Sequence, residues 1–243
     1  MKHFLWFLLI HAGWLALRAA DPSQPTPPPA YEYRPGSFDG TGKWFLDREI
    51  AHFMSHQGAP WLEREERETE EAPNRLVSAL GLKPGNQVGD VGAGSGYLTW
   101  RMARVVGPTG KIYANDIQPE MIAATLTATG KAGVANVQPM QRDFAADGTG
   151  LLKRSCDYAM VFNLLHIDDP VALLSEAFRV LMPAGTLGII HWNVDPATPR
   201  GPSMEIRPTP EQCRAWAEKA GFHFVRHEPG IATWHWGLLM QRP

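Results

Sequence analysis

Asp90-Val91-Gly92-Ala93-Gly94-Ser95-Gly96 stands between a short apolar run, Gln87 to Val91, and a stretch with helical spacing from Tyr97 to Val106. A strand feeding a glycine-rich turn and then a helix is the build of a cofactor loop. Glycine reaches backbone angles closed to other residues and lets a ligand lie against the main chain. The helix start adds free N–H groups and the positive end of the helix dipole. Such a turn serves a dinucleotide or an adenosyl sulfonium. The dinucleotide fingerprint asks for GxGxxG or GxGxxA. Here the glycines run GxGxG and the sixth position is Tyr97, whose ring would obstruct the helix–strand packing that a third glycine permits.

Outward from the turn, strands and helices alternate. Lys111 to Ala114, Val134 to Met140, Asp157 to Phe162 and Thr186 to Trp192 read as strands, with helices over Pro119 to Gly130 and Pro170 to Leu181. That alternation predicts right-handed βαβ crossovers and a parallel sheet. A helix over Thr209 to Ala220 and two hairpin-like strands, Phe222 to His227 and Trp234 to Met240, follow, so an antiparallel strand is expected at one edge. Acidic residues stand at successive strand ends: Asp90, Asp116 and Asp143. Asp116 lies 20 residues beyond Gly96, which fits the offset of about 20 at which a carboxylate receives ribose hydroxyls. Asp143 is placed to accept from an adenine amino group.

These segments resemble the class I S-adenosylmethionine-dependent methyltransferases. Val88-Gly-Asp-Val-Gly-Ala-Gly-Ser-Gly-Tyr-Leu98 resembles their first motif, and Tyr113-Ala-Asn-Asp116-Ile-Gln-Pro-Glu-Met121 their acidic second motif. Asp157-Tyr-Ala-Met-Val-Phe-Asn163-Leu-Leu-His166 resembles their fourth-strand motif, and Leu181-Met-Pro-Ala-Gly185-Thr-Leu the turn before their fifth strand. The likeness covers roughly Pro73 to Met240 and is nearest to the small-molecule type 11 group. Tyr31 to Glu71 also resembles the N-terminal extension of exported bacterial proteins of this kind. The resemblance implies an α/β fold: a Rossmann-like, doubly wound, seven-stranded, mostly parallel sheet with an antiparallel edge strand. It implies S-adenosylmethionine as co-substrate and a small-molecule methyl acceptor. Asp90 would orient the amino-acid end of the co-substrate, Gly92, Gly94 and Gly96 would line it, Asp116 would hold the ribose, Asp143 would sit by the adenine and Asn163 would close the site near the methionine portion. Ile117 and Phe144 complete the implied binding set. Gly89 departs from the family pattern, which often has alanine there.

Methyl transfer is an in-line displacement at a sulfonium, so positioning and desolvation carry much of the rate. A hydroxyl or phenol acceptor benefits from a base, whereas a thiolate needs none. His166 follows one strand and His191 nearly ends the next, both at the carboxyl edge where such sheets bind ligands, so both are candidate catalytic bases. Asp168 and Asp169 precede Pro170 and read as helix caps. Asn163-Leu-Leu-His166 is not the Asn/Asp-Pro-Pro-Tyr/Phe motif of exocyclic-amine methyltransferases, and no Pro-Cys motif offers a cytosine-C5 nucleophile. Cys156 and Cys213 stand alone, not as a disulfide framework, a redox pair or the thiol cluster of an arsenite methyltransferase.

Ahead of the core, Trp44 to Gln57 reads as a helix, because Phe45, Ile50, Phe53 and Met54 recur at roughly helical spacing. Glu63 to Glu71 reads as a solvated helix face with local ion pairs. Residues 31–72 are therefore expected to form a helical extension that lids a domain over 73–243 and brings Glu49, His52, His56 and Trp61 toward the acceptor. His52 and His56 have a metal-like spacing, but no third ligand is evident and no metal is expected. Further upstream, Lys2 and His3 precede an apolar run from Phe4 to Leu17, short for a membrane span. Residues 1–20 are expected to be a signal peptide or an N-terminal anchor, with export to the periplasm or beyond, or the product of a misassigned start that leaves a cytoplasmic protein. A proline-rich linker covers 21–30. A formal net charge of -2 over 243 residues, with no Lys/Arg run, argues against nucleic acid as a partner. Nothing in the sequence fixes an oligomeric state. Two other readings stay open: an exported non-catalytic nucleoside- or cofactor-binding protein on the same fold, and a nicotinamide-dependent oxidoreductase.

Overall fold

The computed structural model describes residues 31–243 apart from 145 and 146; the expected leader over 1–20 and linker over 21–30 lie outside the described residues. The chain opens with a three-stranded antiparallel sheet, β1 (Glu32–Tyr33), β2 (Gly40–Phe45) and β3 (Arg48–Ala51), followed by short helices α1 (Ala59–Leu62), α2 (Arg67–Glu70) and α3 (Pro73–Ala79). The core continues as β4 (Gln87–Val91), α4 (Thr99–Val106), β5 (Lys111–Asp116), α5 (Pro119–Ala132), β6 (Val137–Gln141), β7 (Cys156–Phe162), α6 (Pro170–Val180), β8 (Leu181–Trp192), α7 (Pro210–Lys219), β9 (His223–Ala232) and β10 (His235–Gln241). Its seven strands run in the order β6-β5-β4-β7-β8-β10-β9. The first five are parallel, and β10 pairs antiparallel with both β8 and β9. This is the doubly wound, mostly parallel sheet that the spacing predicts.

Burial explains the pattern. In α4, Thr99, Met102, Ala103 and Val106 are buried, and in α6, Pro170, Leu173, Leu174 and Ala177. Both sets follow the i, i+3, i+4, i+7 rule of a helix that covers a sheet. Val88, Ile112, Met160 and Ile190 pack under α3 and α4, while Val91, Ala159, Val161 and Ile189 pack under α6 and α7. The central strands β4, β7 and β8 are thus buried on both faces, which is why they read as near-continuous apolar runs. Asp169 caps α6 through Ala172 N at 2.9 Å, as expected. Asp168 instead pairs with Lys43 Nζ at 3.1 Å.

The extension differs from the sequence expectation. Trp44 to Gln57 is not a helix: Leu46 and Asp47 take φ of 53° and 59° and turn the chain back, pairing Phe45 with Arg48. Two successive residues at positive φ make the tight turn of a β-hairpin. Leu-Asp lacks the Asn-Gly signature of such turns, so the hairpin leaves no mark in the sequence. Phe53 and Met54, half of the apparent helical stripe, are exposed.

Glu63 to Glu71 is solvated only in part. Arg67 and Glu71 are buried, with Arg67 Nε 2.8 Å from Glu71 Oε2. Arg64 Nη2 reaches Glu71 at 2.8 Å and Glu70 at 3.1 Å, and Arg200 Nε joins Glu70 at 2.7 Å. Tyr97 fits without obstructing its strand because its ring lies on this cluster, 4.0 Å from the Arg67 guanidinium and 4.1 Å from that of Arg101. Its hydroxyl donates to Glu68 at 2.6 Å. Removing one partner of a buried pair strands the other's charge. Glu71→Ala leaves Arg64 and Arg67 without their shared carboxylate, so chemical denaturation is expected to find a loss of about 3–5 kcal/mol.

Candidate cofactor and acceptor site

The glycine turn closes the carboxyl end of β4. Gly92, Gly94 and Gly96 have φ of 74°, 58° and 81°. A Cβ on Gly92 would stand 2.6 Å from Leu164 Cδ2, and one on Gly96 2.8 Å from Thr125 Cα. Neither position admits a side chain. The Asp116 carboxylate, at the end of β5, accepts from Gly94 N at 2.9 Å and Gln118 N at 3.0 Å. Carboxylate oxygens hold further lone pairs, so Asp116 remains able to receive a ribose diol. Burial pushes its pKa up against those two N–H donors. Ile117 is exposed beside it. Bare main chain, a carboxylate at the next strand end and an adjacent apolar side chain are what an adenosine requires, and the site fits that group.

The other expected binding residues have varied surroundings. Asp90 is buried and takes Thr99 Oγ1 at 2.6 Å, so it fastens the start of α4 to β4. Burial, with Asp116 close by, raises its pKa to about 6. Asp143 follows β6, and half-buried Phe144 packs against the core on the α6 side. Asn163 has φ of 49° and both ends of its side chain engaged: Oδ1 accepts from Trp192 N at 3.0 Å, and Nδ2 lies 3.1 Å from His235 Nε2. It ties the end of β7 to β8 and β10.

The two candidate bases meet. His166 and His191 stand edge to face with centroids 5.5 Å apart. Part of His166 reaches the surface, but its Nδ1 is enclosed, and burial with the nearby Arg48 charge lowers its pKa to about 4. His191 is fully buried and held well below the ordinary imidazole range, chiefly by burial, with His166, His235 and Arg48 close by. His235, buried beside Arg67, is lowered to about 3. All three are neutral at physiological pH.

The extension packs along this edge, in different secondary structure from that expected of it. Ala51 N donates to His166 O at 3.1 Å, and His56 N to Gln118 Oε1 at 2.7 Å. Leu62 would lie 3.4 Å from a Cβ on Gly94, and Glu63 accepts from Ser95 Oγ on the glycine turn itself. Trp61 packs on Trp192 at 6.3 Å, and Asp39 holds Ser203 N at 2.9 Å. Gln118, Leu62, Glu63 and Leu164 were not legible as site residues, since each gains its place only through a tertiary contact. His52 and His56 do not share a helix, and no group of three metal-ligating side chains forms among the described residues. Cys156 and Cys213 are buried free thiols. No helix among the described residues is long and apolar enough to cross a membrane.

A family model described as a methyltransferase domain matches residues 82–234, and the chain belongs to that family. Over 119 residues the chain is 33% identical to the ubiquinone/menaquinone biosynthesis C-methyltransferase UbiE of Ectopseudomonas mendocina, covering 48% of this chain and 46% of that protein. Over 140 residues it is 31% identical to the protein-L-isoaspartate O-methyltransferase of Aeropyrum pernix, covering 55% and 52%. The chain spans about half the length of these curated relatives. A SAM-dependent methyltransferase from Aquifex aeolicus aligns in structure with a TM-score of 0.72 and 25% identity, over 79% of this chain and 100% of that one. A possible exported protein from Bordetella parapertussis shares the fold alone, with a TM-score of 0.58 at 19% identity over 79% of this chain and 75% of that one. The core is therefore a class I methyltransferase domain. The nicotinamide and non-catalytic readings are not favoured.

Charge-assisted hydrogen bonds contribute about 1.5–3 kcal/mol. Asp116→Ala is therefore expected to weaken S-adenosylhomocysteine binding on the order of 10- to 100-fold, read by calorimetry. The histidines set a pH dependence. Their folded pKa values lie below the unfolded value of about 6.5, so the unfolded chain takes up protons first and stability falls as pH drops from there toward 4. Asp90, raised to about 6, and Asp116, also raised, act in the opposite sense, but two carboxylates oppose three imidazoles. The melting temperature is expected to fall between about pH 6.5 and 5, and a flat or rising profile contradicts the assignment.

Proposed function

We propose that the protein transfers the methyl group of S-adenosylmethionine to a small-molecule acceptor. The carrying observation is the covered carboxyl edge. The antiparallel sheet sits on His166, the strap from Met54 to Glu63 crosses the glycine turn, and the segment after Trp192 is tied to both by Ser203–Asp39 and Arg200–Glu70. An acceptor has to fit beneath that cap, which disfavours a nucleic acid strand or a folded protein. The two named relatives act on carbon and on oxygen, so likeness to them selects no acceptor atom.

His166 and His191 keep their place at the acceptor edge, as neutral groups that orient the acceptor. An imidazole lowered to about 4 is a weak proton acceptor at neutral pH. The reading therefore favours an acceptor atom that is already nucleophilic, such as an enolate, a thiolate or a free amine. Export of the protein belongs to the same proposal and rests on the apolar run Phe4 to Leu17. Fractionation with N-terminal sequencing tests it, and an intact N-terminus in the cytoplasm overturns it.

The decisive experiment incubates the full chain with methyl-labelled S-adenosylmethionine and a panel of small acceptors, alongside calorimetry with the co-substrate and its demethylated product. Saturable binding of both and label transfer to one acceptor class are expected. Absence of binding by either nucleoside defeats the reading.

A further inference from the structure

Beneath the antiparallel cap, on the α6 and α7 side of the sheet, four buried side chains carry polar atoms with no side-chain hydrogen-bond partner: His166 at Nδ1, the His191 ring, Arg48 at Nε and Trp236 at Nε1. The Trp192 backbone is a polar neighbour of the His191 ring. They belong to one connected group. His166 meets His191 at 5.5 Å, and His191 stacks on Trp236 at 6.0 Å. Arg48 enters from β3 and is 1% exposed. Its Nη1 and Nη2 rest on the carbonyls of Glu49 at 3.1 Å and Ile167 at 2.6 Å. Among the described residues no carboxylate pairs with it; the neighbouring Asp168 is engaged by Lys43.

That arrangement is costly as it stands. Each buried polar atom without a partner costs about 1–3 kcal/mol, and native proteins retain few of them. A desolvated cation without a counter-charge costs more. The chemistry of the group states what would satisfy it. Arg48 Nε and Trp236 Nε1 only donate, and each neutral imidazole brings one N–H. A cation ringed by N–H donors complements a delocalised oxyanion. The group also borders the methyl-transfer edge: Leu164, which packs on Gly92, lies two residues before His166.

We propose that Arg48, His166, His191 and Trp236 form a subsite for a carboxylate carried by the methyl acceptor. Arg48 supplies the opposing charge and the ring N–H groups fix the orientation, so the acceptor is a small carboxylic acid held with its nucleophilic atom toward the glycine turn. The inference rests on the methyltransferase reading and narrows its substrate class.

The test uses the full chain saturated with S-adenosylhomocysteine, imidazole-labelled for NMR, and titrated with benzoate, hexanoate and the neutral matched compound benzamide. His166→Gln and His191→Gln assign the resonances. Either carboxylate is expected to move the imidazole signals of His166 and His191 and to raise the melting temperature, while benzamide does neither. Arg48→Gln should weaken carboxylate binding by about tenfold or more, with Arg48→Lys in between. If Arg48→Gln does not fold, the wild-type contrast between benzoate and benzamide decides alone. Normal S-adenosylhomocysteine binding with both carboxylates silent, or benzamide acting as strongly as benzoate, overturns the subsite and leaves the methyltransferase reading standing. Failure of S-adenosylhomocysteine itself to bind strikes that reading instead.

Discussion

At the carboxyl edge of the sheet the main chain has no room for a Cβ, and the site is arranged around that constraint. Gly96 lets α5 press its Thr125 backbone onto the turn, and Thr125 Oγ1 then holds Gly94 O at 2.9 Å. Gly92 admits Leu164 from the loop after β7. A side chain at either position would combine a strained positive φ with a steric clash, and overpacking alone costs about 1–3 kcal/mol. The energetic loss would matter less than the displacement. Moving α5 shifts Gln118 and the Asp116 carboxylate, and moving the β7 loop shifts Asn163 and His166. The turn therefore sets the positions of Asp116 and Gln118 on one side and of Asn163 and His166 on the other.

The cap is fastened to that turn by charge. Relative to apolar side chains of similar volume, a buried ion pair adds little stability, because desolvation offsets the Coulomb attraction. What the Arg64, Arg67 and Glu71 cluster supplies is registry. A guanidinium over the Tyr97 ring and a carboxylate on Ser95 are satisfied in one alignment of the strap on the turn. An apolar interface would tolerate sliding; this one does not. The strap thus holds Leu62 over Gly94 and Trp61 on Trp192 and covers the carboxyl edge of the sheet.

The parallel core was legible because its signals are local. Strand runs, helical periods and the strand-end positions of Asp90, Asp116 and Asp143 need no knowledge of distant residues. The extension was not, for two physical reasons. Its hairpin turns at Leu46-Asp47, where neither residue advertises positive φ, and its apolar spacing imitated a helix although Phe53 and Met54 face solvent. Its charge run was read as i, i+4 pairing, but several of its partners, Ser95, Tyr97, Arg101 and Arg200, lie far along the chain. The position of His166 and His191 at the carboxyl edge was readable. Their nearness to Arg48 was not, and it changes their chemistry.

That change is consistent with the electrostatics of methyl transfer. The sulfonium loses its positive charge as the methyl group leaves, so a low-dielectric surrounding favours the transition state over the ground state. A protonated imidazole at the acceptor edge would add a second cation and oppose binding of the first. Burial keeps His166, His191 and His235 neutral, which removes that repulsion while preserving their hydrogen-bonding capacity. Beside His166 and His191, Arg48 stays charged, with its pKa lowered by burial to about 10. Left unpaired, it would work against the sulfonium in the same way. Under the carboxylate subsite proposed above, the acceptor would neutralise Arg48 as it binds, which would remove that repulsion once both substrates are in place.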